Sequence, residues 1–292
     1  MIWSLHRWTW RVASPLFIGC APSGALNRCR IYVPARPLWG ALTAELARHE
    51  ADGVPAYREV GADIREHVRL SYLFPAEFAD KDWWVWLPQY RDGDGLIWVR
   101  DGNDSALADR RFRRRLLWTR PGTAIDPDSD SALDGSLRET ECLETHWRLD
   151  DGKPAGPVAM VGYVLFREGH DIESRLSAIG TVFIGGDTRY GLGRLDRVAM
   201  EPATTLFGAN VDLDQNDPLV ITNRPAAHAL VSAGVMMCGD QEAIGGWDMT
   251  GQQQDRRLSG PTWTPGSRSL DEQDLVWKLL QSGMLQAAEG SP

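Results

Sequence analysis

Lysine is almost missing from this chain. Of 31 basic residues only Lys81, Lys153 and Lys278 are lysines. Positive charge therefore rests on arginine, whose planar fork suits bidentate phosphate recognition. Acid is missing from the start: no aspartate or glutamate precedes Glu45, although Arg7, Arg11, Arg28, Arg30 and Arg36 do. Cysteine is scarce. Cys20, Cys29, Cys142 and Cys238 form no CxxC pair, which removes the usual zinc-ligand spacing and points to free thiols in a reducing compartment. No apolar run approaches the ~20 residues of a membrane span. Arg7 and Arg11 also interrupt the N-terminus where a signal peptide needs an unbroken apolar stretch. The expectation is a cytoplasmic protein without a membrane partner. A net charge of −9 excludes a surface coated in nucleic acid, but it leaves room for one basic face on an acidic body.

What is present centres on Phe183–Leu195. Gly185, Gly186, Gly191 and Gly193 fall there among Arg189, Tyr190 and Arg194. Glycine reaches positive φ freely and lets a second backbone approach, and such a loop can turn its N–H groups toward an anion. The arginines offer phosphate contacts and the tyrosine a stacking face. No Gly-Lys-Ser/Thr follows, so this is not a P-loop, and no third glycine completes a dinucleotide fingerprint. A plain turn between a helix and a strand is the alternative.

Along the chain, residues 4–13 alternate as a half-buried strand, with His6, Trp8, Trp10 and Val12 on one face. Leu38, Leu42 and Leu46 stripe a helix over 38–49. Residues 51–110 read as an irregular insertion. Arg110–Arg115 form a basic run with Phe112 and Trp118 interleaved, suited either to solvent or to nucleic-acid contact with base stacking. Asp126, Asp128 and Asp130 hint at a calcium loop, but Ser131 and Leu137 replace its glycine and closing glutamate, so a hairpin with an acidic turn is the reading. Strands near 141–149, 158–166 and 194–200 and a helix over 172–179 complete a βαββαβ order. Leu275–Gln286 has the pattern of a terminal amphipathic helix. The boundaries are 1–205 with an insertion over 51–140, then a second α+β region over 206–292.

Three ordered blocks resemble the RAMP superfamily of CRISPR effector proteins. Ser14-Pro15-Leu16-Phe17-Ile18-Gly19 followed by Tyr32-Val33-Pro34 and Leu38-Trp39-Gly40-Ala41-Leu42 is similar to its first strand, turn and helix. Thr123–Asp126 through Ala132, Gly135-Ser136-Leu137 and Glu141 looks like its hairpin, and Ile184–Arg194 like its glycine-rich loop. More loosely, Gly245-Gly246-Trp247-Asp248 with Pro265-Gly266-Ser267 is similar to the end of type III subunits that cap the crRNA 5′ end.

The resemblance implies a ferredoxin-like (RRM-like) RAMP fold with a large insertion and a second, degenerate ferredoxin-like region. It also implies a crRNA-binding structural subunit of a type III-like CRISPR ribonucleoprotein, partnered by crRNA, target RNA and other effector subunits. Type III backbone subunits cleave target RNA with an aspartate between first strand and first helix. The stretch Gly19–Arg30 holds no acid, and the expectation is a non-catalytic protein without metal or cofactor. The candidate RNA contacts are Arg28, Arg30, Arg36, Gly185, Gly186, Arg189, Tyr190, Gly191, Gly193 and Arg194, with both loops joined in one basic groove. Arg111, Arg113, Arg114 and Arg115 stand second. Two alternatives remain: a crRNA-processing endoribonuclease using His49 as general acid/base, and a protein-only scaffold.

Overall fold

The computed structural model describes residues 2–102, 105–232, 234–248 and 255–288, and leaves the side chains of Trp247, Asp248 and 255–257 aside. Its main strands up to residue 202 are β1 (Trp3–Val12), β2 (Val68–Leu70), β3 (Phe74–Ala79), β4 (Asp82–Arg91), β5 (Gly95–Arg100), β6 (Leu117–Gly122), β7 (Arg138–Leu143), β8 (Pro154–Arg167), β9 (Thr181–Phe183) and β10 (Arg194–Pro202). Its helices are α1 (Ala35–His49), α2 (Tyr57–His67), α3 (Asp109–Leu116) and α4 (Ile172–Ser177). The chain is α+β with mostly antiparallel sheets and few helices. Among the described residues no helix is long and apolar enough to cross a membrane.

The central sheet is organised by β1 and β8. β1 pairs antiparallel with β8, from Trp3↔Arg167 to Arg11↔Ala159, and with β10, from His6↔Pro202 to Val12↔Leu195. β8 then pairs with β2 and β3 on its other side. The order β10–β1–β8–β2 thus has α1 in the first crossover and α4 in the second. α1 packs against α2 and α4, so these three helices form one layer, and α3 packs on strands elsewhere. β1 is buried at both parities, through Trp3 and Leu5 and then Trp8, Trp10 and Val12. It is therefore not the half-buried strand its alternation suggested. The Trp3 indole donates to the Gln215 carbonyl at 3.1 Å, so later chain covers this second face. Each fully buried large apolar side chain contributes about 1.5–3 kcal/mol.

Several segmental expectations need correction. The described residues of 51–110 form regular structure: α2 leads into β2, and β3–β5 extend the sheet as a meander. The polar stretch Arg91–Gly95 is the turn of the β4–β5 hairpin, entered through Gly93 and Gly95 at positive φ. The stretch 141–149 divides: His146–Arg148 does pair antiparallel with the start of β8, whereas β2 pairs with its far end. Residues 138–143 instead join β6 and Leu26–Asn27 in a separate three-stranded sheet, an arm beside the body.

Residues 206–292 hold strands and no helix among the described residues, where an α+β region was expected. Leu275–Leu279 and Leu285–Ala287 are a hairpin in an eight-stranded sheet, not a terminal helix. Leu275 and Leu279 fit either period. Trp277, fully buried between them while Val276 and Lys278 are not, fixes the period at two. This sheet shares one continuous core with the first.

Candidate nucleic-acid interface

The glycine loop is shaped by its neighbour, the segment Ser14–Ile18. Gly185 sits at φ +87°, and a Cβ there would lie 2.2 Å from the Phe17 carbonyl oxygen. Gly193, at φ +84°, would meet the Ile184 carbonyl oxygen at 2.1 Å. Gly186 N–H donates to Phe17 O at 2.9 Å and Gly193 N–H to Pro15 O at 2.8 Å. These amides are committed to the fold, which corrects the expectation that they face an anion. The glycines allow another stretch of this chain to approach.

What the loop presents outward is side chains. Asp187, left-handed at φ 56°, opens a 3₁₀ turn over Thr188–Tyr190 that Gly191 closes at φ 83°. Tyr190 is 73% exposed. The guanidinium of Arg138, on β7, lies 5.2 Å from the Tyr190 ring centre and 3.9 Å from the Asp187 carboxylate. Register places Arg120 opposite Thr140 and Gly122 opposite Arg138, so both arginines share one face of the arm. Between loop and arm lies a cleft of about 670 Å³, lined by Arg120, Thr123, Ser136, Arg138, Asp187 and Tyr190 among others. Arg189, in the same turn as Tyr190, is exposed, does not line the cleft, and has no ion-pair partner among the described residues. Arg194 shares the Asp196 carboxylate with Arg11, at 2.9 and 3.3 Å. Burial pushes the Asp196 carboxyl up, but these bonds and one from Thr181 outweigh it and hold the carboxyl below its usual value.

The other sequence candidates lie elsewhere, so one groove does not join the two loops. Arg28 and Arg30 open onto a separate cleft of about 460 Å³, with Arg113, Tyr32, Tyr90 and Asp240. Arg30 is clamped by Glu242 in a bidentate pair at 2.6 and 2.7 Å. That pair continues inward. His228, fully buried, donates Nε2–H to Glu242 at 2.8 Å and accepts the Tyr72 hydroxyl at Nδ1, also at 2.8 Å. Arg36 lies against Gly246, where a Cβ would come 2.4 Å from its guanidinium. These two side chains tie the C-terminal region to the first.

The basic run is α3. Arg111 and Arg115 hold the Asp150 carboxylate, Arg114 reaches the Asp150 carbonyl, and Arg113 pairs with Asp109 at 2.8 Å. Phe112 is not a stacking face for bases. It is buried and stacked on Trp98, with ring centres 4.5 Å apart. Trp118, 58% exposed, is covered on one side by Arg148.

His49 ends α1, exposed beside Arg48. Asp63, His67 and His170 bring their polar atoms within 4.8 Å of one another. The two rings stack at 3.7 Å and 8°, which leaves their lone pairs parallel rather than converging. Arg175 holds the other Asp63 oxygen and Glu50. The group acts as an ion-pair network joining α1, α2 and α4.

Arg120 and Arg138 were missed from sequence, although the hairpin carrying them was recognised. Their signal was position: they flank an acid-rich stretch that contains no other basic residue.

No protein-family model matches the sequence, and no curated protein matches it. Solved structures do match. One is a chain in the cryo-EM structure of the type III-B Cmr-beta bound to cognate target RNA and AMPPnP, state 1. It is 12% identical with TM-score 0.56, covering 90% of this chain and 85% of that one. Another, from the type III-B Cmr-beta bound to cognate target RNA, is 14% identical with TM-score 0.51, covering 90% and 86%. At such identity the likeness is one of fold.

Proposed function

We propose that this protein is a non-catalytic, crRNA-binding structural subunit of a type III-like CRISPR ribonucleoprotein, and that the chain order β10–β1–β8–β2 is its ferredoxin-like RAMP core. The carrying observation is the cleft between glycine loop and arm. There Arg138 stacks on an exposed Tyr190, with Arg120 on the same wall, and the turn that carries Tyr190 also carries the exposed Arg189. Stacking faces alternating with guanidinium groups suit a single-stranded backbone and are tolerant of sequence. The shared fold with chains from RNA-bound Cmr-beta structures supports this reading. Sequence discrimination would then rest with base pairing.

The test is RNA affinity against salt concentration. Arg138→Ala with Arg189→Ala should weaken binding to all single-stranded RNAs alike. The salt slope should fall by about 0.7 per phosphate contact removed. Unchanged affinity and slope would remove the cleft from the reading. Incubation with precursor and target RNA in Mg²⁺ or Mn²⁺ should leave both intact, whereas metal-free cleavage abolished by His49→Ala would establish the endoribonuclease alternative.

A further inference from the structure

The arm formed by β6 and β7 is polarised along its length. Its base carries Arg120 and Arg138. Its tip, residues 121–137, contains Asp126, Asp128, Asp130 and Asp134 and no basic residue. Three aliphatic side chains stand out from this tip: Ile125, Leu133 and Leu137 are 58%, 48% and 64% exposed. The tip is nonetheless ordered by its own bonds. Ile125 pairs with Ala132, and Leu133 N–H donates to Ala124 O at 2.8 Å. The Ser136 hydroxyl accepts Ala124 N–H at 3.0 Å, and Asp128 N–H donates to the Asp126 carboxylate, also at 3.0 Å. A preformed surface loses little entropy on binding.

Exposed aliphatic groups clustered on an ordered projection gain nothing within the chain and mark a contact site. The charge decides what is contacted. Four carboxylates repel a phosphate backbone and an anionic membrane face, and they complement a basic protein surface. We propose that the arm tip docks a different polypeptide, at an apolar socket rimmed by lysine or arginine. RNA at the base and protein at the tip would then occupy opposite ends of one arm. A single hairpin tip is a small interface, so it acts together with other contacts in an assembly.

The test uses the full chain with a photo-crosslinking phenylalanine derivative in place of Leu133, expressed in the cells that assemble its complex. The expected product is a nuclease-resistant adduct with a different polypeptide, mapped by mass spectrometry to apolar residues flanked by lysine or arginine. Its yield should fall severalfold as salt rises from about 0.1 M to about 1 M, over which the Debye length shrinks from about 10 Å to about 3 Å. The triple change Asp128→Asn, Asp130→Asn and Asp134→Asn should lower the yield at low salt and flatten the salt dependence. It should leave thermal unfolding unchanged: the three side chains are exposed, and asparagine tolerates the left-handed backbone of Asp130. A nuclease-sensitive adduct, an adduct between two copies of this chain, an acidic target surface or no adduct at all would each overturn the proposal. The same probe at Tyr190 reports on RNA in the cleft, so that reading can fail separately.

Discussion

Replacing Gly193 with alanine tests whether the glycine loop is shaped by packing. Gly193 adopts φ +84°, its added Cβ would sit 2.1 Å from Ile184 O, and its N–H donates to Pro15 O. The left-handed backbone alone costs alanine about 1–2 kcal/mol. Moving away from Ile184 O also endangers two hydrogen bonds, Ile184 N–H to Gly193 O and Gly193 N–H to Pro15 O. At about 0.5–1.5 kcal/mol each, the total reaches about 2–5 kcal/mol. Gly191 is the internal control: its φ is +83°, but no heavy atom lies within 4 Å of its added Cβ. Gly191→Ala should therefore cost only the backbone part, about 1–2 kcal/mol. Urea unfolding of both variants reads the difference directly. By calorimetry, Gly193→Ala should melt about 4–20 °C below wild type, at about 2–4 °C per kcal/mol. If both variants lose the same stability, close approach of the chain is not what fixes Gly193, and the packing argument fails.

Thiol labelling should divide the cysteines. Burial pushes the Cys29 thiol up to about 12 and the Cys142 thiol to about 11, so both should react slowly in the native state, while the half-exposed Cys20 and Cys238 react fast. Equal rates for Cys29 and Cys20 would contradict the buried environment. Stability should also fall with acid. Burial holds the His228 imidazole below its usual value; burial pushes Glu242 up, but bonds from His228 and Arg30 outweigh it and hold the carboxyl well below the usual carboxylate range. Both folded values are depressed, so their stabilisation is present above the unfolded values, about 6.5 and 4.3, and is lost as pH falls. A urea midpoint that rises from pH 7 to pH 5 would refute this. Arg30→Ala should cost about 1.5–3 kcal/mol, because it removes a bidentate bond from a half-buried carboxylate that keeps the His228 N–H and some solvent.

Sequence made visible whatever was local. The β-branched run Val158–Phe166 lies within β8 and the leucine stripe at 38, 42 and 46 lies within α1, whereas the glycine loop joins two paired strands, β9 and β10, and not a helix and a strand. It failed where meaning depended on distant partners. Arg30 looked like a free cation in an acid-free stretch, but its acid, Glu242, is 212 residues away. Phe112 looked like a stacking face because its partners Trp98 and Trp147 lie on other elements. The glycines were read as room for phosphate, whereas the approaching backbone belongs to Pro15 and Phe17. The cleft escaped notice because Tyr190 and Arg138 meet only when arm and loop fold side by side.

The central position of β1 has a consequence for how the chain is made. Both of its hydrogen-bonded neighbours, β8 and β10, lie more than 140 residues downstream. A ribosome adding about 5–20 residues per second completes β10 about 10–40 s after β1. During that interval Trp3, Trp8 and Trp10 can collapse onto the nascent α1, but no ladder can form along either edge of their strand. β1 thus waits for both of its sheet partners while more than 140 further residues are made, and the nascent chain carries an unpaired, tryptophan-rich edge over that interval.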